Sequence, residues 1–414
     1  MGWNSYDCFG GEVTETEVLA NADYMARHLL KYGWEYVVID IAWHTDQQMN
    51  DFHADTMLDA YGRLLPSVRR FPSAQNGVGF KPLADVIHGL GLKFGIHVMP
   101  GIPKWAVERN SPILGSGARA RDIAHPTRVN QLWPDGLPFV DLTRPGGQEY
   151  YDSLFKLYAG WGVDFVKADG IGGYDPDQVE AFDLARQRCG REMVLSLSAG
   201  CPDHSTYRRH RQEHCEMYRI SEDLWDRWPQ LEMAFYNFMA WQSFIGPGHW
   251  ADGDMLPLGR IGAIQHPDNA PDRMTRFTRY EQTTLMTLWC IVQSPLMFGG
   301  DLPSNDPWTL ALITNPDVLA VNQTGLNPHE LFRDCSCRSL AWVCDLPNQA
   351  KAIGVFNFDG RDRHVIRVPF SEVDLPSTCL VRDLWDRRDL GSVSEILEAE
   401  ISPHGARLFS VRGA

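Results

Sequence analysis

The stretch DFVKAD, residues 164–169, is a short apolar strand that ends on an acid, with a lysine two positions before it. Short apolar strands ending on an acid or on a polar residue of a sugar-binding type recur in WEYVVID (34–40), LKFGIH (92–97), EMVLSLS (192–198) and MYRISED (217–223), and, less apolar, in GHWADGD (248–254). Strands buried on both faces read as continuous Val/Ile/Leu runs, and in (β/α)8 barrels the functional side chains sit where such strands end. The carboxylates of Asp40, Asp169, Asp223, Asp252 and Asp254 are therefore expected to converge on one face.

Amphipathic helices fill the gaps between these strands. Residues 14–31 (TETEVLANADYMARHLLK) place Val18, Ala22, Met25 and Leu29 on one stripe. Thr14 and Glu17 form a capping-box pattern, and Gly33 is the expected stop. Further helices are expected at 81–90, 147–161, 177–188, 207–215, 228–245, 276–293 and 306–313. Buried strands alternating with such helices over about 310 residues require parallel crossovers, and the fold class that satisfies this is a (β/α)8 TIM barrel. From Asn322 onward the helical pattern gives way to alternating segments at 339–343, 352–356, 365–368 and 407–411, broken by Gly, Pro and Asp turns. These predict a C-terminal antiparallel β-sandwich. The expected division is 1–322 for the barrel and 323–414 for the sandwich.

Two connections, 43–79 and 100–146, exceed what a turn needs. Loops of that length in a compact domain usually carry function, and these contain His53, Trp105, His125 and Trp133, so walls that shape a substrate site are expected there.

Fifty-three acids against 38 bases give a net charge of −15, with no long basic run. Nucleic acid and anionic membranes are poor partners for such a surface, and a neutral polar small molecule is a better one. Fourteen Trp and 13 Tyr supply flat faces of the kind that pack on sugar rings, although core packing accounts for most of them. Nine cysteines without a C-x-x-C pair read for the most part as buried thiols. The chain has no 18-residue apolar run and opens on MGWNSYD without a basic and apolar leader, so no membrane span and a cytoplasmic location are expected. Homo-oligomerisation is compatible with this reading.

Asp169 is the first candidate for chemistry: a carboxylate at a strand end beside Lys167 stays ionised and can act as nucleophile. Asp223 is the second. It lies near Arg219 and precedes Trp225 and Trp228, whose apolar surfaces would raise its pKa and suit it to general acid work. Two carboxyl groups pushed apart in pKa on one face are what glycosidic bond cleavage needs. The competing reading makes Asp169 and Lys167 a structural ion pair and Asp223 a helix cap. Asp252 and Asp254 fit structural support better than catalysis. Asp40 and His97 could serve as zinc ligands, but no HxH or HxxxH occurs in the site strands, and hydrogen bonding to hydroxyls is the more ordinary use of an imidazole there. No metal or cofactor is expected.

In order along the chain, MGWNSYDCFG, YVVIDIAW, LGLKFGIH, GVDFVKADG, RISEDLWD, GPGHWADGDML and QSPLMFGGDL resemble glycoside hydrolase family 27, the α-galactosidase and α-N-acetylgalactosaminidase group, in a bacterial-type side branch. The resemblance covers residues 1 to about 325. It implies a barrel followed by a sandwich, Asp169 as nucleophile, Asp223 as acid/base, Lys167 and Arg219 on ring hydroxyls, and retention by double displacement on an oligosaccharide or glycoconjugate. The two carboxyl groups would then lie about 5–6 Å apart.

Three departures from the family pattern bear on the sugar. The family usually has two consecutive aspartates where this chain has Asp40 and Ile41, so one hydrogen-bonding carboxylate on the O4 and O6 side is lost. The Trp that commonly packs on the sugar is Tyr6. Ser198 stands at a position that separates galactosidases from galactosaminidases, and its small side chain leaves room near C2, although Ala199 and Gly200 break the rest of that pattern. The expected substrates are terminal α-D-galactosyl residues, with His97 and Asp254 also lining the sugar site. α-N-acetylgalactosaminides and β-L-arabinopyranosides are the alternatives, and a carbohydrate-binding protein without turnover is a rival from outside the enzymes.

Overall fold

The computed structural model describes residues 1–46, 56–130, 137–171, 175–198, 207–262, 272–336 and 338–414. Its largest sheet is built from β1 (Gly2–Asn4), β2 (Tyr36–Ile39), β3 (Lys93–Val98), β4 (Phe165–Asp169), β5 (Val194–Ser198), β6 (Met217–Arg219), β7 (Trp250–Asp252) and β8 (Met297–Phe298). The strand order is β8-β1-β2-β3-β4-β5-β6-β7, with parallel pairing from β8 through β6. The edge strands β7 and β8 are consecutive in the chain, so the order is circular, as the predicted (β/α)8 barrel requires. Strand β6 is shorter than the stretch 217–223 suggested. Its regular pairing stops at Arg219, which leaves Ile220–Asp223 as a loop.

The helices of seven or more residues are α1 (Glu15–His28), α2 (Lys81–Gly89), α3 (Gly147–Trp161), α4 (Pro176–Arg188), α5 (Arg208–His214), α6 (Trp228–Trp241), α7 (Arg279–Ile291), α8 (Pro307–Ile313) and α9 (Pro316–Thr324). Helix α1 shows the local logic. The Thr14 amide and hydroxyl both donate to Glu17 Oε2, at 2.7 and 2.9 Å, closing the capping box. Val18, Ala22, Met25 and Leu29 are fully buried. Burying each of the larger side chains stabilises the fold by about 1.5–3 kcal/mol. Gly33, at φ 91°, ends the segment after a 3-10 turn, in a left-handed conformation that costs glycine little. Helix α9 was not expected. Asn315 caps it by accepting from the Asp317 and Val318 amides, and Pro316 occupies its first turn.

Two compact units share the chain. The first comprises Met1–Arg219, Arg260–Arg273 and Met297–Ser304; the second comprises Ile220–Gly259, Met274–Leu296 and Asn305–Ala414. Within the second unit lies the antiparallel domain: a six-stranded sheet ordered Leu326–Asp334, Ser339–Leu346, Ala350–Asn357, Ala406–Gly413, Thr378–Asp383, Arg388–Ser394, and a two-stranded sheet of His364–Pro369 with Ile396–Ile401. Its core is made by alternate residues such as Val343, Ile353, Ile366, Val368, Leu397 and Phe409. Helices α6 and α7 pack on it. Phe235 meets Phe356 and Phe358 edge-on, and His404 is bound by Glu281 at 2.8 Å. The seven described cysteines are free thiols, and no described helix is long and apolar enough to cross a membrane.

Candidate active site

The ends of β1 to β4 bring one polar cluster together. Parallel pairing sets His97 beside Lys167 and, one layer further on, Asp169 beside Ser198. Lys167 Nζ donates to Asp40 Oδ2 at 2.8 Å, and Asn4 Nδ2 donates to the same oxygen at 2.7 Å. Asp40 Oδ1 accepts from the Ile41 amide at 2.8 Å, while the Asp40 amide donates to Ser5 Oγ at 3.0 Å. Asp40 is 3% exposed. Burial alone would raise its pKa, but the Lys167 ammonium and His97 outweigh that and hold it well below the usual carboxylate range. Asp40 is therefore a fixed anion held by donors on both carboxylate oxygens.

Asp169 is aimed by two donors. Its Oδ2 lies 3.0 Å from His97 Nε2, and its Oδ1 accepts from the Gly170 amide at 2.7 Å. Burial again pushes its pKa up, and the hydrogen bond and charge of His97, then the Lys167 charge, bring it below the ordinary value. The Asp169 side chain keeps 23% exposure against 3% for His97, so the carboxylate faces accessible space while its orienting group does not. Lys167 bonds Asp40 rather than Asp169, so the pairing expected from the K-x-D spacing is replaced by one that reaches across β3 to the end of β2. His97 and Asp40 are likewise committed to Asp169 and Lys167 rather than posed as metal ligands. Arg219, at the end of β6, is 3% exposed and donates to Ser198 Oγ at 3.3 Å, which places those two residues together.

Ile41 begins the turn after β2. It is half-buried and packs with Met99 against Ala42 and Leu137, an apolar cluster directly beside the Asp40 anion. Ala42 adopts φ 66°, a left-handed conformation that costs a non-glycine residue about 1–3 kcal/mol. Arg70 holds that turn by donating to Ala42 O at 2.8 Å and Thr45 O at 3.1 Å, and its Nε and Nη2 bind Val13 O. Burial lowers the Arg70 pKa to about 10. Past β3 a depression is lined by Trp43, His97, Met99, Trp105, Leu137 and Tyr150, and the second long loop contributes part of that lining. His125 serves its own turn by accepting from the Arg128 amide at 2.9 Å. His53 and Trp133, like Ala199 and Gly200, lie outside the described residues. Tyr6 is half-buried, its amide bound to Asn4 Oδ1 at 2.9 Å.

Asp223 is exposed and belongs to the second unit, on the loop that follows β6. That loop is tied from behind. Asp254 Oδ2 accepts from the Leu224 amide at 2.7 Å, the Asp254 amide donates to Asp252 Oδ1 at 2.9 Å, and Gln230 Nε2 donates to Asp223 O at 3.1 Å. Asp254 is 3% exposed at φ 93°, and one of its partners is the backbone next to Asp223. Gly253 permits this. A Cβ there would stand 2.6 Å from both Phe238 Cζ and Trp289 Cζ2. The Trp228 ring, expected to cover Asp223, stacks on His404 with centroids 3.7 Å apart.

Asn4, Ser5 and Arg70 escaped the sequence reading. Asn4 and Ser5 stand in the MGWNSYD motif at a strand end, which was the available signal. Arg70 lies in a long loop and gave none.

A family model described as alpha galactosidase A matches residues 141–324, and one described as alpha galactosidase C-terminal beta sandwich domain matches residues 340–411. Alpha-galactosidase 2 of Arabidopsis thaliana is 26% identical over 99% of this chain and 88% of its own. A Bacillus halodurans protein considered an alpha-N-acetylgalactosaminidase is 45% identical with a TM-score of 0.90, over 100% of this chain and 97% of its own. The GH27 β-L-arabinopyranosidase of Geobacillus stearothermophilus is also 45% identical, with a TM-score of 0.96 over 100% of this chain and 96% of its own. With that identity sustained along the whole length of both chains, and with the barrel and sandwich in place, the protein is a member of glycoside hydrolase family 27.

Proposed function

We propose that this glycoside hydrolase is a retaining exo-enzyme for galactose-configured pyranosides, and that within this class it hydrolyses β-L-arabinopyranosides better than α-D-galactosides. The observation that carries the preference is the apolar cluster of Ile41, Ala42, Met99 and Leu137 beside Asp40. L-Arabinopyranose shares the ring configuration of galactose but lacks the hydroxymethyl group at C6. An apolar wall leaves that hydroxyl unpaired in the galactoside, at about 1–3 kcal/mol, and costs the pentose nothing. The arabinopyranosidase activity of the Geobacillus stearothermophilus relative supports the same order.

In the proposed mechanism Asp223 protonates the glycosidic oxygen while the Asp169 carboxylate attacks the anomeric carbon and forms a glycosyl ester. Asp223 then takes a proton from water, which opens the ester with net retention. Asp40, Lys167 and Arg219 bind ring hydroxyls, and His97 keeps Asp169 ionised and aimed. Solvent access suits Asp223 to a part in which it exchanges a proton with water.

Ser198 favours a second reading, since a small side chain against Arg219 leaves room for an N-acetyl group at C2. Initial rates on nitrophenyl β-L-arabinopyranoside, α-D-galactoside, α-N-acetylgalactosaminide and α-glucoside decide between them. The expected order has the arabinoside first, by about 5–150-fold over the galactoside, the ratio that 1–3 kcal/mol represents. A galactoside rate equal to or above the arabinoside rate overturns the preference. Turnover by Asp169→Asn comparable to wild type, or an inverted first product by NMR, overturns the mechanism.

A further inference from the structure

On the outer face of the first unit, α4 and α5 carry a group that the hydrolytic chemistry does not use. His210 and His214 are one turn apart on α5, and their rings lie 4.3 Å apart at 42°, so both imidazoles turn to the same side. Glu180 and Asp183 face them from α4. His210 Nε2 lies 3.0 Å from Glu180 Oε1, and His214 Nδ1 lies 3.0 Å from Asp183 Oδ2. One ligand atom from each of Glu180, His210 and His214 falls within a single 4.8 Å group.

We propose that Glu180, His210 and His214 bind a divalent transition-metal ion of the zinc class. Two ligands at zinc distance from a tetrahedral ion stand about 3.3 Å apart, so the His210 and Glu180 atoms already have nearly the required spacing. Asp183 completes the design. It is 5% exposed and is fixed by Arg186 at 2.6 Å and Gln187 at 3.0 Å. Accepting the Nδ1 proton of His214 leaves Nε2 of that ring with its lone pair outward, the carboxylate–histidine arrangement that orients metal-bound imidazoles. Two imidazoles and one carboxylate suit zinc, nickel or copper and are a poor set for calcium or magnesium. The Glu180 side chain is 58% exposed, which gives the ion a route in and leaves its remaining positions to water.

The placement assigns the ion a structural task. Helix α5 leads into β6, so His214 lies toward the N-terminal ends of the strands, whereas Asp169, Ser198 and Arg219 stand at the C-terminal ends. A bound ion would clamp α4 to α5 and steady the strand that ends in Arg219.

The test uses the full chain dialysed against a chelator and titrated with zinc chloride by calorimetry, with cobalt absorption as the reporter of coordination. Expected are one zinc equivalent, a cobalt spectrum of tetrahedral or five-coordinate type, and a rise in melting temperature on adding zinc. The double variant His210→Ala/His214→Ala should lose all three while keeping the wild-type hydrolysis rate. Glu180→Gln changes an exposed side chain and leaves folding undisturbed; it should lose binding at zinc concentrations that saturate the wild type. Absence of binding up to millimolar zinc, or an undiminished equivalent in Glu180→Gln, overturns the proposal. Neither outcome bears on the sugar chemistry, which is read by turnover.

Discussion

Replacing His97 by phenylalanine should move the acid limb of the pH–rate profile upward. The His97 ring touches Asp169 through one hydrogen bond of 3.0 Å, and its removal takes away the leading opposition to burial, which is the largest influence on Asp169 and raises its pKa. A hydrogen bond to a charged group is worth about 1.5–3 kcal/mol, and losing it raises the Asp169 pKa. Protonated Asp169 cannot attack. Activity is therefore lost as pH falls through its folded pKa, and raising that pKa moves the loss to higher pH. Lys167 stays in place and limits the shift. Phenylalanine preserves the flat ring, and the Trp43 Nε1 bond at 2.7 Å goes to the His97 backbone oxygen, so the strand end should stand. The assay is kcat/KM against pH on the nitrophenyl arabinopyranoside, which reports ionisations of the free enzyme. His97→Gln, which keeps an N–H donor, should shift the limb less. A profile that falls uniformly with an unmoved acid limb would refute the assignment of His97 as the group that holds Asp169 ionised.

Lys167→Met removes the ammonium from a carboxylate that is 3% exposed, and breaking a buried pair costs about 3–5 kcal/mol. Asp40 has a depressed folded pKa, so its contribution to stability is full above the ordinary carboxylate value and fades as pH falls; the loss in the variant should shrink in the same direction when thermal unfolding is followed from neutral to acid pH. Gly253→Ala should cost about 1–3 kcal/mol of overpacking against Phe238 and Trp289 and should lower kcat by displacing Asp254 from the Leu224 amide, measured as kcat with KM alongside. Met25→Ala, fully buried in the α1 stripe, should lower stability by about 2–5 kcal/mol in denaturant melts and leave KM unchanged.

The sequence by itself determined the barrel, because burial on both faces writes each strand as an apolar run and each helix as a stripe, and local periodicity survives without neighbours. Thr14, Glu17 and Gly33 marked the limits of α1 for the same reason, since caps and stops act within one turn of the chain. Four sandwich strands were read from their alternation, while Thr378–Asp383 and Ile396–Ile401 were passed over although alternate residues are buried in both. Arg388–Ser394 is an edge strand, almost wholly exposed, so no buried face imprinted its sequence. Candidate chemistry was legible as residue types at strand ends. What only the tertiary structure decided was the pairing among them. Lys167 and Asp169, two apart on one strand, share a side of the sheet, yet Lys167 turns to Asp40 and His97 turns to Asp169, because the donors nearest each oxygen come from other strands. The support for Asp40 from Asn4 and Ser5, the grip of Arg70 on the Ala42 turn, and the tether from Asp254 to the backbone beside Asp223 span as many as 36 residues of chain. Spacing in sequence carries no record of such distances, and they are set by which strand ends the closing sheet brings into reach.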